Sequence, residues 1–253
     1  MQDQSPPSSG QHQQKYAKAI QAARDTSEQA FHAWFDASSS LDESVTSGFW
    51  DFSVHILTPQ VLQYIASPHQ KTALEIGHGG GRLLNVACNY FGKSIGIDIH
   101  DQNDYVAEFL KGQGKDNFEL IKTNGTEIEV AGTSIDLVYS FIVLQHLPSY
   151  QALEGYIAAV SRILKPGGVA QLYFGKFGQL SFGEQLRYRL QGYKEITNAE
   201  VNHTSLVVHS GKMKSLCGRY GLRVVDFGIS YKNVPSGYPG SPGNQNYVTA
   251  VRQ

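Results

Sequence analysis

The sequence predicts an α/β fold: a doubly wound, mostly parallel sheet covered by helices on both faces. Three observations predict it. Five apolar strand candidates recur between residues 72 and 175, helical stretches lie between most of them, and a glycine-crowded corner follows the first strand. Strands alternating with helices build parallel βαβ units whose sheet is buried on both sides. Right-handed crossovers wind such units into a three-layer α/β/α sandwich.

Taken in order, residues 1–14 (MQDQSPPSSGQHQQ) are rich in Pro, Ser and Gln and are expected to form a disordered tail. From Lys15 to about Asp36 the pattern is helical, with Tyr16, Ala19, Ile20, Ala23, Ala30, Phe31 and Trp34 at steps of three and four. SSSLDESV interrupts it, and within that break Ser40 or Asp42 is the expected N-cap. GFWDFSVHIL carries Phe49, Trp50 and Phe52, and TPQVLQYIA reads as a short helix with Thr58 as N-cap and Pro59 at its first position. Residues 15–70 are therefore read as a helical prelude, or cap, to a main domain over 71–253.

The strand candidates are TALEI (72–76), SIGID (94–98), FELIKT (118–123), IDLVYSF (135–141) and VAQLYFG (169–175). The helices between them are expected over 81–91, 102–112 and 150–164. A helix at 209–220 then precedes RVVDFGISY (223–231), the loop PSGYPGSPGN and YVTAVR (247–252). Two strands with no helix between them pair antiparallel. Residues 176–208 fit neither scheme, and connections of that length tend to be lids or binding elements.

The bulk numbers narrow the function. A chain of 253 residues, 41% hydrophobic and 17% charged, is globular in composition. A formal net charge of −1 provides no global basic field for nucleic acid or an anionic membrane. Cys88 and Cys217 belong to no CxxC pair or metal-ligand spacing, so they read as reduced, buried thiols and no metal is expected. The N-terminus lacks the basic and apolar regions of a secretory signal, and apolar runs fall far short of the ~20 residues that span a bilayer. The expected location is cytoplasmic.

Gly77, Gly79, Gly80 and Gly81 sit at the carboxyl end of TALEI, where an open α/β sheet places its ligand crevice. Glycine reaches positive φ and lets another group approach the main chain. A tight turn needs one or two, so close approach by something flat or bulky is the expectation here. A dinucleotide fingerprint fails in both registers, because its last glycine would fall at Arg82 or Leu84. The spacing that holds is Glu75-x-Gly77-x-Gly79-x-Gly81. Asp98 ends the second strand, where an acid accepts hydrogen bonds from the two hydroxyls of a ribose. Asn124, after the third strand, offers a donor and an acceptor to the polar edge of an adenine.

These features resemble the class I (Rossmann-like) S-adenosylmethionine-dependent methyltransferases. ALEIGHGGGR resembles the family's first motif and SIGIDIH its ribose-binding loop. TNGTEIEVAGTSIDLVYS resembles the next, with Asn124 where aspartate is common and Gly125 where alanine is common. FIVLQHL and SRILKPGG resemble the later motifs. The resemblance implies seven strands, the last antiparallel. It implies S-adenosylmethionine bound by Glu75, Gly77, Gly79, Gly81, Asp98, Asn124 and Gly125, with Ser140 and Phe141 lining its methionine part and S-adenosylhomocysteine as product. Asp136 reads as structural.

The implied reaction is methyl transfer to a small-molecule acceptor, on oxygen or nitrogen. It demands alignment and exclusion of water, and a base only where the acceptor carries a proton. His146 and His203 are the candidate bases, with His209 a further one. Some ubiquinone-type O-methyltransferases carry an acidic pair beside this histidine; Gln145 stands there instead, against a metal. Residues 176–208 and the aromatics Phe49, Trp50, Phe52, Tyr173, Phe174, Phe177, Phe182, Tyr188 and Tyr193 are expected to roof an aromatic, lipid-like or sugar-like acceptor. Arg187, Arg189 and Lys194 are available to a phosphate or carboxylate, or form a solvated face. No nucleic acid or membrane partner is expected, and a homodimer is left open. The alternatives are a protein or RNA methyltransferase, or a non-catalytic cofactor-binding scaffold or regulator.

Overall fold

The computed structural model describes residues 9–125, 127–197, 199–231 and 243–253. Most of the expected glycine- and proline-rich loop lies outside them, as do residues 1–8 of the expected tail. Residues 9–14 of that tail are helical: α1 runs Ser9–Thr26. The single helix expected to Asp36 is broken at Ser27, whose backbone is extended (φ −175, ψ 164) and whose hydroxyl accepts from the Ala30 amide at 3.0 Å. That cap starts α2 (Glu28–Asp36). Of the two cap candidates further on, Ser40 serves: it accepts from Glu43 N at 3.1 Å and opens α3 (Leu41–Asp51). A π-helical turn (Phe52–Ile56) comes next, then α4 (Pro59–Leu62) with Thr58 as cap and Pro59 in its first turn.

The alternating section comprises β1 (Thr72–Ile76), α5 (Arg82–Tyr90), β2 (Lys93–Asp98), α6 (Asn103–Gly112), β3 (Phe118–Lys122), β4 (Ile135–Ser140), α7 (Tyr150–Ile163) and β5 (Leu164–Phe174). Beyond it lie α8 (Phe182–Arg187), β6 (Tyr193–Glu195), β7 (Leu206–Val208), α9 (Ser210–Arg219), β8 (Leu222–Tyr231) and β9 (Gly243–Arg252). Seven strands form one sheet in the order β3-β2-β1-β4-β5-β9-β8. β1 to β5 pair parallel, and β9 is antiparallel to both β5 and β8. Six strands therefore point one way and the last points back, and strand order reverses between β1 and β4.

Period-two alternation divides the apolar side chains between the faces. Leu74 and Ile76 join Ile95, Val138 and the α7 residues Leu153, Ile157 and Val160. Ala73, Leu137 and Tyr139 face the other way, onto Leu83, Val86 and Ala87 of α5 and Phe52 and Ile56 of the prelude. Both cysteines are buried free thiols. Residues 176–208 contain secondary structure of their own: β6 and β7 pair antiparallel, and Lys176 bridges Val208. Among the described residues no helix is long and apolar enough to cross a membrane.

Asp136 fastens the amino ends of three strands. Its Oδ2 accepts from Thr72 N at 3.0 Å and Lys165 Nζ at 2.7 Å, and its Oδ1 lies 3.1 Å from Lys71 Nζ. Burial opposes its ionisation, but the bonds from Lys165, Thr72 and Lys71 outweigh burial and hold the carboxyl below its ordinary 3.8. A depressed folded-state pKa contributes stability above the unfolded value, and that stability is lost as pH falls through the folded one. Asp136→Asn is expected to cost about 1–3 kcal/mol at neutral pH and much less in acid strong enough to protonate the carboxyl in the folded state. Denaturant melts at the two pH values check this; an equal cost at both would refute the ion-pairing role.

Candidate functional site

A cavity of about 630 Å³ opens at the carboxyl ends of β1 to β4, over the point where strand order reverses. Glu75, Gly77, Gly79 and Gly80 line it after β1, Asp98 and Ile99 after β2, Thr123 and Gly125 after β3, and Phe141 to Val143 after β4. The opposite wall comes from the prelude: His12 and Tyr16 of α1, Trp34 to Asp36 of α2, and Ser47 and Asp51 of α3.

The glycine corner is crowded by the protein itself. Gly77, Gly79 and Gly81 adopt φ of 77, 52 and 85. A Cβ would meet Val143 Cγ2 at 2.4 Å from Gly77, Phe35 Cδ1 at 2.7 Å from Gly79, His32 Nδ1 at 2.9 Å from Gly80 and Val106 Cγ1 at 2.8 Å from Gly81. The flat group expected on this corner is thus, at Gly79, the ring of Phe35. The glycines serve backbone conformation and packing of α2, while the main chain of 77, 79 and 80 still borders the cavity.

Asp98 holds the corner electrostatically. Its Oδ2 accepts from Gly79 N at 2.9 Å and its Oδ1 from Ile99 N at 2.7 Å. Burial opposes ionisation, but His100, His78 and these amides outweigh it and keep the carboxyl below 3.8. The carbonyl of the same glycine is held by His100 Nε2 at 3.1 Å and His78 Nδ1 at 3.0 Å. Ligand atoms of His78, Asp98 and His100 converge within 4.8 Å. The ring nitrogens are engaged, however: His78 Nε2 contacts Asn103 Oδ1 at 3.2 Å and His100 Nδ1 accepts from Gln102 N at 3.1 Å. The cluster is a hydrogen-bonded clamp.

Glu75 differs from Asp98. It is 3% exposed, and burial pushes its carboxyl up to about 8, against the pull of the Tyr139 hydroxyl and Arg82. Tyr139 Oη donates to its Oε2 at 3.1 Å. The site thus pairs an ionised carboxylate on β2 with a carboxyl on β1 that stays protonated near neutral pH.

His146 lines the cavity from the loop after β4. Its Nδ1 donates to the carbonyl of His203 at 2.9 Å, which leaves the lone pair on Nε2, where Gln145 Nε2 donates at 3.2 Å. Burial lowers its pKa from 6.5, so the ring is neutral near pH 7.

Several expected site residues stand elsewhere. The Asn124 carboxamide turns to its own loop, Oδ1 accepting from Glu127 N at 3.0 Å, and Thr123 and Gly125 line the cavity in its place. Ser140 is fully buried and donates to Ile76 O at 3.2 Å. Gly81 caps α5 outside the cavity. The His203 ring is 68% exposed, 3.6 Å from Glu200, and only its carbonyl serves His146. His209 caps α9. None of the aromatics expected as a roof lines the cavity, and among the described residues of 176–208 only Asn202 does. Arg187 lies over Tyr188, and Lys194 pairs with Glu184.

Arg82, Tyr16, His12 and Phe35 are site residues that motif reasoning passed over. Helical spacing marked Tyr16 and Trp34 as inward-facing but could not say what they face. Arg82 bonds Asp51 at 2.6 Å and lies 3.6 Å from Asp36, joining α5 to α3 and α2.

Residues 74–172 match the methyltransferase-domain family. Phosphoethanolamine N-methyltransferase 1 of Triticum aestivum is 30% identical over 112 residues, 44% of this chain and 22% of that protein. A ubiquinone biosynthesis O-methyltransferase of Hydrogenovibrio crunogenus is 28% identical over 130 residues, 47% of this chain and 52% of that one. The chain thus aligns with about half or less of the length of these relatives. An S-adenosylmethionine-dependent methyltransferase from Clostridium acetobutylicum superposes with a TM-score of 0.60 at 13% identity, covering 88% of this chain and 96% of its own. One from Methanosarcina mazei gives 0.57 at 20% identity, covering 77% and 97%. With the sheet order and the switch-point cavity, these matches show that residues 74–172 are similar to the methyltransferase domain and that the chain has the fold of the solved S-adenosylmethionine-dependent methyltransferases.

Proposed function

We propose that the chain methylates a small molecule with S-adenosylmethionine as donor. The carrying observation is the ionised Asp98 at the glycine corner, bordering a cavity of about 630 Å³ that the chain's own prelude covers. The residues fit the donor. Asp98 keeps lone pairs for ribose hydroxyls, Thr123 and Gly125 flank the nucleoside side, and Glu75, Gly77 and Phe141 border the methionine side. Bound there, the sulfonium would supply an electrophilic methyl carbon.

The rest is done by the chain. α1 and α2 cover the cavity and exclude water. His146 Nε2 would take a proton leaving the acceptor in exchange for its bond from Gln145, and the bond to the His203 carbonyl fixes that tautomer. His203 acts through its backbone in this scheme. The covering helices leave room for a small acceptor rather than a polymer, which favours this reading over a protein or RNA methyltransferase. The relatives' names, phosphoethanolamine and ubiquinone biosynthesis, support a small acceptor of unspecified class. Product formation from a labelled methyl donor in cell extract separates an enzyme from a binding scaffold.

Asp98→Ala is expected to weaken S-adenosylmethionine binding by about 1–3 kcal/mol, through lost charge-assisted bonds and a loosened Gly79. Calorimetry reads this, and an unchanged Kd refutes the placement of the ribose. His146→Ala is expected to lower kcat by roughly 10²–10⁴-fold with donor affinity kept; a fall in affinity alone would assign the ring to binding. Glu75 titrates near 8, and a cationic donor favours its ionised form. Donor affinity is therefore expected to rise as pH climbs through about 8, and Glu75→Gln to abolish that rise. A variant with the same slope as the natural chain would remove Glu75 from the methionine side.

A further inference from the structure

The wall built by α1, α2 and the loop after β4 has a composition of its own. His12, Tyr16, Trp34 and His146 all border the cavity. Their rings form one cluster around Tyr16, with centroids 5.0 Å away at His12, 6.1 Å at Trp34 and 6.2 Å at His146. Trp34 meets Tyr16 edge-on at 85°. Aromatic faces carry negative electrostatic potential and attract cations. Burial lowers the pKa of both histidines, so neither ring places a positive charge on this wall near neutral pH.

Fixed charge in the cavity has the same sign. Among the described residues, Arg82 is the one lysine or arginine that lines it, and Asp36 and Asp51 already hold that guanidinium. Glu43 adds a further carboxylate to the lining. Lys15, next to the ring cluster in sequence, donates instead to the carbonyl of Ala199 at 2.7 Å. A phosphate or carboxylate brought here would lose its water with no free cation to replace it. An ammonium would meet ring faces and a surplus of carboxylates.

We infer that this wall receives a small amine, bound as its ammonium and bearing no phosphate or carboxylate. The inference rests on the methyltransferase reading and supplies its acceptor class. Before transfer, a protonated primary, secondary or tertiary amine would give its proton to His146 Nε2. The N–H bond breaks, its electron pair stays on the amine nitrogen as a lone pair, and a new N–H bond forms on the imidazole.

The test uses the full chain saturated with S-adenosylhomocysteine, titrated in a calorimeter with choline and, separately, with phosphocholine. These two unreactive probes differ by one phosphate. Choline is expected to bind, with phosphocholine at least about tenfold weaker. Tyr16→Leu is expected to weaken choline by about tenfold and Tyr16→Phe to preserve it, with S-adenosylhomocysteine affinity unchanged in both. Equal or tighter binding of phosphocholine, or no binding of choline to the loaded protein, overturns the inference. So does a Tyr16→Leu variant that keeps choline affinity. Failure of S-adenosylhomocysteine itself to bind is a different result, and overturns the methyltransferase reading beneath it.

Discussion

The peptide groups of one glycine are held from both sides, and the site is built around that grip. The amide of Gly79 donates to Asp98 at 2.9 Å, and its carbonyl accepts from His100 at 3.1 Å and His78 at 3.0 Å. In a buried setting each of these groups would be costly to leave unpaired. Satisfying them fixes the turn out of β1 against the end of β2. It also orients the carboxylate, because an oxygen that accepts a backbone amide cannot rotate away. An acid immobilised in this way would lose little freedom on meeting a ligand.

The second constraint is steric. Phe35 and His32 of α2 lie on Gly79 and Gly80, and Arg82 reaches back to Asp36 and Asp51. The prelude is packed onto the glycine corner and also lines the cavity. Burial then sorts the titratable groups. Asp98 remains ionised where amides and histidines support it, and Glu75 is pushed towards neutrality beside Tyr139. Two carboxyl groups on adjacent strands thus present a charge and a proton donor to the same cavity.

The alternating strands and helices were legible because each carries its own period, and TALEI is β1 to the residue. The position of Asp98 was legible for a related reason: the end of the second strand borders the crevice, and Asp98 lines the cavity there. Tyr16 and His12 were not. Helical spacing marks the buried side of α1 but is silent on its partner, and that partner is a loop more than a hundred residues away in sequence. Asn124 misled because an asparagine after a strand can serve a ligand or bond its own loop, and local geometry chose the loop. The long stretch at 176–208 looked like a lid through its length alone, whereas β7 is buried and pairs with β6. The six-residue start of α1 within the expected tail shows the same limit, since Gln- and Ser-rich sequence acquires order where helix packing supports it.

The placement of β9 gives the sheet an asymmetric dependence. β8 is not a ladder neighbour of β5; its backbone pairing reaches the remainder of the sheet through β9. The inserted strand therefore acts as a keystone, and the margin carrying β8, with α9 against it, is cooperative with that one ribbon. Val169 pairs with Val251, so this flank is closed by a contact between distant parts of the sequence. The cavity lies over β1 to β4, across β5 from that margin.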